Sequence, residues 1–220
     1  CSLEARYLQI FKGDEIEFPE DGYQGEDIKD LAKEYADLNG DSLVNVSAEE
    51  RKKALVDYAL PKNIKKMQAD MEKYKIFYDK WFFESELHKS GAVKAVVDLL
   101  TKKGLTYEKD GAVWYKNKEV LTQKLLKEGK SQKYIDNLEL KDDVLIRQNG
   151  NPTYFTADIA YHKNKFDRGF TTLIDVWGAD HHGHVMRMKG AMDAIGYDGD
   201  KLNVVLMQLV KLVKDGELVR

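Results

Sequence analysis

Apolar positions recur with a helical period over most of the first 130 residues, and near residue 143 the pattern changes to short apolar runs alternating with helical stretches. Residues 2 to 12 (SLEARYLQIFK) read as an amphipathic helix capped by Ser2, followed by an acidic turn from Gly13 to Glu20. Asp21-Gly22 breaks the chain before a second helix, about 26 to 38, which ends at Asn39-Gly40. Ser47-Ala48-Glu49-Glu50 fits a capping box opening a third helix, which Pro61 stops or kinks before the pattern resumes to about 74. Residues 75 to 83 (KIFYDKWFF) are aromatic and extended in character, and 90 to 103 is helical. Two short strands, 105 to 107 and 112 to 115, flank Asp110-Gly111, and 119 to 128 adds a helix.

From 143 the spacing predicts strand 143 to 148, a turn at Asn149-Gly150, helix 154 to 166, strand 171 to 177, helix 182 to 195 and strand 203 to 213. Strands alternating with helices point to a parallel, doubly wound α/β unit. Three strands are too few for such a sheet, so its other strands must come from elsewhere.

With 220 residues, 43% of them apolar and 33% charged, the chain can bury a sizeable core as one large domain or two small ones. No apolar run approaches the roughly 20 residues of a bilayer span, so no membrane partner is expected. The N-terminus lacks a signal-peptide pattern, and the single Cys1, as much a cloning junction as a native thiol, forms no internal disulfide. The cytoplasm is the default compartment. The net charge of -3 is uneven: residues 1 to 60 carry 7 Lys/Arg against 15 Asp/Glu, leaving 28 against 23 in the remainder. A nucleic acid would face the later part, although that surplus is no more than ordinary solvated helix faces supply. Oligomeric state is not written in the sequence.

Candidate chemistry concentrates late, where four of the five histidines fall. Tyr154 and Asp158 stand four apart on one helix face, with His162 a further turn along. Such a carboxylate suits a planar cation, because two parallel charge-assisted hydrogen bonds fix a guanidinium's position and plane. It equally suits a helix N-terminus, with the Tyr ring in the core. Strand 171 to 177 runs into Gly178-Ala179-Asp180, at the carboxyl end where parallel sheets bind ligands. There Gly178 would let a ribose approach and Asp180 accept from its hydroxyls. His181-His182-Gly183-His184 admits a metal site, although adjacent residues point apart and no second cluster completes one. Asp180-His181-His182 also spells the motif of DHH phosphoesterases, without that family's upstream aspartates. His181-x-Gly183-His184 copies a phosphate-binding signature of class I synthetases, but far from that signature's place beside the first strand.

Over its whole length the sequence resembles arginyl-tRNA synthetases of the bacterial type. The resemblance rests on Pro152 to His162 (PTYFTADIAYH), Trp177 to His184 (WGADHHGH) and Lys214-Asp215-Gly216-Glu217. Tyr23 to Ile28 (YQGEDI), Phe77 to Trp81 (FYDKW) and Gly111 to Trp114 (GAVW) add to it. It implies the second half of a Rossmann-like, doubly wound class I catalytic domain preceded by an α+β connective insertion: 1–24 the tail of the first catalytic half, 25–142 the insertion, 143–220 the second half. Tyr154 and Asp158 would contact L-arginine, and Gly178, Asp180, His181, Met207 and Gln208 would line ATP, which brings Mg2+; no residue is expected to hold a metal of its own. The catalytic HIGH and KMSKS elements would lie outside the chain, the second opening at Arg220, so that this piece is expected to be inactive by itself while the whole enzyme joins arginine to tRNA(Arg). Two alternatives stand beside this reading, a metal-dependent DHH-type phosphoesterase and a standalone RNA-binding module.

Overall fold

The computed structural model describes residues 2–208 and 210–218, so the origin of Cys1 and the loop expected to open at Arg220 lie outside the described residues. The chain divides into two compact units, Cys1–Trp81 and Phe82–Arg220.

The first unit is helical. Helices α1 (Ser2–Lys12), α2 (Glu26–Asn39) and α3 (Ala48–Lys73) surround a core containing Leu3, Tyr7, Leu31, Leu55 and Ala59. Ser47 caps α3 by accepting from the Glu50 amide, as the capping box predicts. Pro61 does not stop α3, which is helical on both sides of it. The Asp57 carbonyl that Pro61 leaves unbonded belongs to an exposed residue, where water can satisfy it. Inside the unit, Arg51 donates to Glu4 and to the carbonyls of Leu43 and Val46, tying the loop after α2 to α1.

The second unit mixes helices with small sheets. After α4 (Glu84–Lys89) and α5 (Ala92–Lys102) come strands β1 (Thr106–Lys109) and β2 (Ala112–Tyr115), then α6 (Asn117–Lys127) and α7 (Gln132–Asn137). Strand β3 (Asp143–Ile146) leads into α8 (Tyr154–Asp167), β4 (Leu173–Gly178), α9 (His182–Ile195) and β5 (Leu202–Met207). A two-residue hairpin, β6 (Val213–Lys214) and β7 (Glu217–Leu218), follows.

Two expectations change here. Strand 143–148 is shorter and does not join the parallel sheet; β3 pairs antiparallel with β2, giving a three-stranded sheet in the order β1-β2-β3. An apolar run reads the same in either kind of sheet, and the periodicity of β3 carried no information about its partner. The strand expected over 203–213 ends at Met207, and a hairpin forms around Asp215 and Gly216, whose φ angles of 54° and 84° suit a tight turn.

The expected parallel pairing holds for β4 and β5, aligned from Leu173 opposite Leu202 to Gly178 opposite Met207. One face of this pair packs into the core with Met188, Met192 and Ile159. The other leaves Ile174, Val176, Val205 and Met207 exposed.

Between α8 and β4 lies a buried ionic cluster. Asp175, 8% exposed, accepts from His162 Nε2 at 2.5 Å and from Lys165 Nζ at 2.7 Å, while His162 Nδ1 is 2.7 Å from the Asp158 carbonyl. Both ring nitrogens face oxygen acceptors, so both carry a proton and His162 is an imidazolium against a carboxylate. Burial pushes the Asp175 carboxyl up, but the hydrogen bonds from His162 and Lys165 outweigh it and hold it below its ordinary 3.8. A lowered folded value means that this stabilisation is complete above 3.8 and is lost as the pH falls below 3.8 and through the lower folded value. Asp175→Asn should therefore cost about 3 kcal/mol in urea unfolding at pH 7 and make the fall in stability below about pH 4 shallower. An acid limb identical to wild type would contradict the assignment.

Candidate functional site

The site begins where β3 hands over to α8. Thr153 caps the helix, its Oγ1 accepting from the Thr156 amide and donating to the Val144 carbonyl at 2.8 Å. Thr156, fully buried, donates its hydroxyl to the Leu145 carbonyl at 2.7 Å. Two hydroxyls thus attach the first turn of α8 to β3. With Phe155, Ala157 and Ile159 turned into the core, the helical period leaves Tyr154 and Asp158 on the open side. Tyr154 is 80% exposed. His162, a turn further, is buried against Asp175 and does not share that surface.

Asp158 is half-buried and held. Its Oδ2 lies 3.2 Å from His184 Nε2, and His184 Nδ1 lies 3.0 Å from Arg187 Nη2. The other arm of Arg187 donates to Asp143 Oδ1. Burial raises the Asp143 carboxyl above its ordinary value despite the Arg187 charge. The His184 ring sits 5.3 Å from Trp177 and 5.6 Å from Phe155, centre to centre.

The residues expected to line a nucleotide meet at the carboxyl end of the parallel pair. Gly178 lies opposite Met207, Gln208 follows, and Asp180 and His181 occupy the 3-10 turn Ala179–His181 just beyond β4. Met207, Asp180 and His181 are exposed. A Cβ at position 178 would fall 2.4 Å from Asp180 Oδ1, so glycine there is what lets Asp180 fold back over the strand end. The residues expected at an arginine and those expected at a nucleotide are neighbours: His184, bonded to Asp158, lies 6.5 Å from the His181 ring, and His181 is 3.7 Å from Asp180. Among the described residues no group of three or more His, Cys, Asp or Glu converges as a metal site.

Several members were not legible as such. His184 stood in the histidine run without a role, although its spacing from Arg187 marks two side chains on one face of a helix. Asp143 gave no signal, being 44 residues from Arg187. A cavity of about 290 Å3 beside Asp158 is completed by Glu84, Leu87, Phe82 and Tyr161, the two rings stacked 4.7 Å apart. It places a second carboxylate near Asp158 from a helix, α4, that sequence periodicity had not shown.

No protein-family model matches the chain. Curated relatives do: it is 52% identical over 221 residues to the arginine–tRNA ligase of Ruminiclostridium cellulolyticum and 54% identical over 220 residues to that of Caldanaerobacter subterraneus subsp. tengcongensis. Both alignments cover 100% of this chain and 36% of the relative. A Campylobacter jejuni structure described as an arginyl-tRNA synthetase superposes with a TM-score of 0.79 at 34% identity, covering 100% of this chain and 44% of that one. The Thermus thermophilus arginyl-tRNA synthetase, 17% identical, shares the fold at a TM-score of 0.59 over 94% of this chain and 39% of its own. The fold is thus similar to that of part of an aminoacyl-tRNA synthetase. The chain is similar along its whole length to arginine–tRNA ligases, and it spans about a third of the length of the curated relatives it matches, 36%. Nothing in these relationships supports the phosphoesterase alternative.

The anchoring of α8 has a measurable cost. Thr153→Ala removes the cap and one bond to β3 and should lower stability by about 1 to 2 kcal/mol in urea unfolding. A change under about 0.3 kcal/mol would show that the first turn of α8 does not depend on it.

Proposed function

We propose that this chain carries the arginine-binding helix and the nucleotide-binding strand edge of a protein that activates L-arginine with ATP, releasing pyrophosphate, and then transfers the arginyl group to tRNA(Arg). The observation that carries the reading is Asp158, a half-buried carboxylate held on the open face of a capped helix beside an exposed Tyr154. An anion fixed in this way pairs two-pronged with a guanidinium, and an ammonium cannot reproduce that geometry. Tyr154 then offers its ring to the aliphatic stem or its hydroxyl to the amino acid.

On this reading Gly178, Asp180, His181, Met207 and Gln208 receive the nucleoside end of ATP, whose phosphates bring Mg2+. The adenylate would lie where the two groups meet, over His184 and His181. The chain would form 143–220 as the second half of a Rossmann-like catalytic domain, 25–142 as an insertion and 1–24 as the tail of a first half. Support for the Rossmann-like half comes from β4 and β5, a parallel pair with an apolar face, Ile174, Val176, Val205 and Met207, left open. Parallel sheets are covered on both faces, so this face calls for further structure packed on it. With tRNA as the partner, residues 61–220, which carry the basic surplus, would face it. Among the described residues no helix is long and apolar enough to cross a membrane; a cytoplasmic setting, where tRNA is charged, follows from the proposed reaction.

Nuclear magnetic resonance titration of the 220-residue chain tests the reading. L-Arginine should shift the amides of Tyr154 and Asp158 and bind at least about tenfold more tightly than L-lysine, a difference of ~1.4 kcal/mol. Asp158→Asn should remove the arginine response and leave the rest of the spectrum unchanged. Equal affinity for lysine would defeat the guanidinium argument.

A further inference from the structure

We propose that His184, fixed by Arg187, is the positioning residue that aims the Asp158 carboxylate at a guanidinium without cancelling its charge. The inference deepens the proposed function and rests on Asp158 being the guanidinium partner.

The argument is one of donors and acceptors. A guanidinium has five N–H donors and no acceptor, so where Arg187 Nη2 meets His184 Nδ1 at 3.0 Å the ring nitrogen must accept. The ring proton therefore sits on Nε2, which donates to Asp158 Oδ2 at 3.2 Å. In this arrangement the imidazole is neutral. A proton on Nδ1 would set one N–H against another, and the resulting imidazolium would form an ion pair with Asp158 and repel an incoming cation.

The surroundings permit little else. The His184 side chain, 13% exposed, is flanked by Trp177 of β4 and Phe155 of α8, and the Arg187 guanidinium lies 5.5 Å from the Phe155 ring. The charged or titratable groups facing His184 are Asp158 from α8, Arg187 from its own helix, Asp143 from β3 beyond Arg187, and His181 from the turn. Arg187 and Asp143 offset one another, so the uncompensated charge is that of Asp158. Arg187 thus selects the tautomer, the neutral ring orients the carboxylate, and a full negative charge faces the ligand. Oδ1 and the second lone pair of Oδ2 remain for the ligand.

Two measurements on the intact chain decide this. Ring nitrogen-15 spectra at pH 7 should show His184 neutral, with Nδ1 unprotonated and Nε2 protonated. A proton on Nδ1, alone or together with Nε2, overturns the proposal. Arginine titrations then separate positioning from packing. His184→Gln, whose side-chain amide supplies a donor at the reach of Nε2, should keep arginine affinity within about threefold, whereas His184→Leu, which keeps the bulk, should weaken it about tenfold or more, as loss of a hydrogen bond to a charged group does. Gln as poor as Leu, or Leu as good as wild type, overturns the positioning role. Arg187→Met should release Nδ1 to take a proton, and a ring pattern unchanged from wild type would contradict the role of Arg187. If the wild-type chain gave the expected ring pattern but no arginine response, the ligand assignment and the purpose of the device would both fall. A wrong ring pattern beside a normal arginine response would defeat the device alone.

Discussion

The position of Asp158 depends on hydrogen bonds buried beneath helix α8. At its first turn Thr153 and Thr156 donate to carbonyls of β3, and two turns on His162 joins Asp175 of β4. These strands belong to different sheets, one antiparallel and one parallel, and α8 is bonded to both. The Thr156 and His162 contacts are buried and the Thr153 contact partly so, and inside the protein an unmatched donor or charge costs more than the bond returns. The helix is consequently held in axial position and in rotation, and rotation decides whether residue 158 faces the core or the open side. A carboxylate that recognises a flat cation needs that fixity, because the energy of two-pronged pairing falls away when the plane is wrong.

A second constraint links the Asp158 face of α8 to the end of β4. Trp177 packs against both His162 and His184, and Gly178 and Asp180 follow it at the strand end. A shift of β4 would therefore disturb the support of Asp158 and the strand end at Gly178 and Asp180 together. The same strand is bare on its far side, with Ile174 and Val176 exposed. An apolar, uncovered face on a parallel pair is an arrangement completed by other structure, in keeping with a chain that spans 36% of its curated relatives.

Much of this was legible in the sequence, for local reasons. Helix α8 and the Tyr154–Asp158 face follow from a four-residue spacing, and the Ser47 cap of α3 from a four-residue motif. The parallel pairing of β4 with β5 follows from a helix between two strands. What escaped notice was long-range or short. The partner of β3 is set by where α6 and α7 lead the chain, and α4 and α7, six residues each, are too brief to show a period. The contact of Asp143 with Arg187 crosses from a strand to a distant helix, and nothing in either neighbourhood announces it. His184 was visible as a histidine and invisible as a neutral donor, because its state is set by a guanidinium and a carboxylate that only the fold brings to it.

The central claim is that a carboxylate held by a neutral imidazole recognises a guanidinium. A crystal structure of the chain with saturating L-arginine tests it most directly. The account predicts the guanidinium in the plane of the Asp158 carboxylate, with two nitrogens about 2.7 to 2.9 Å from its oxygens and the His184 contact intact. Arginine seated instead on Glu84, or bound with its guanidinium away from Asp158, would contradict it.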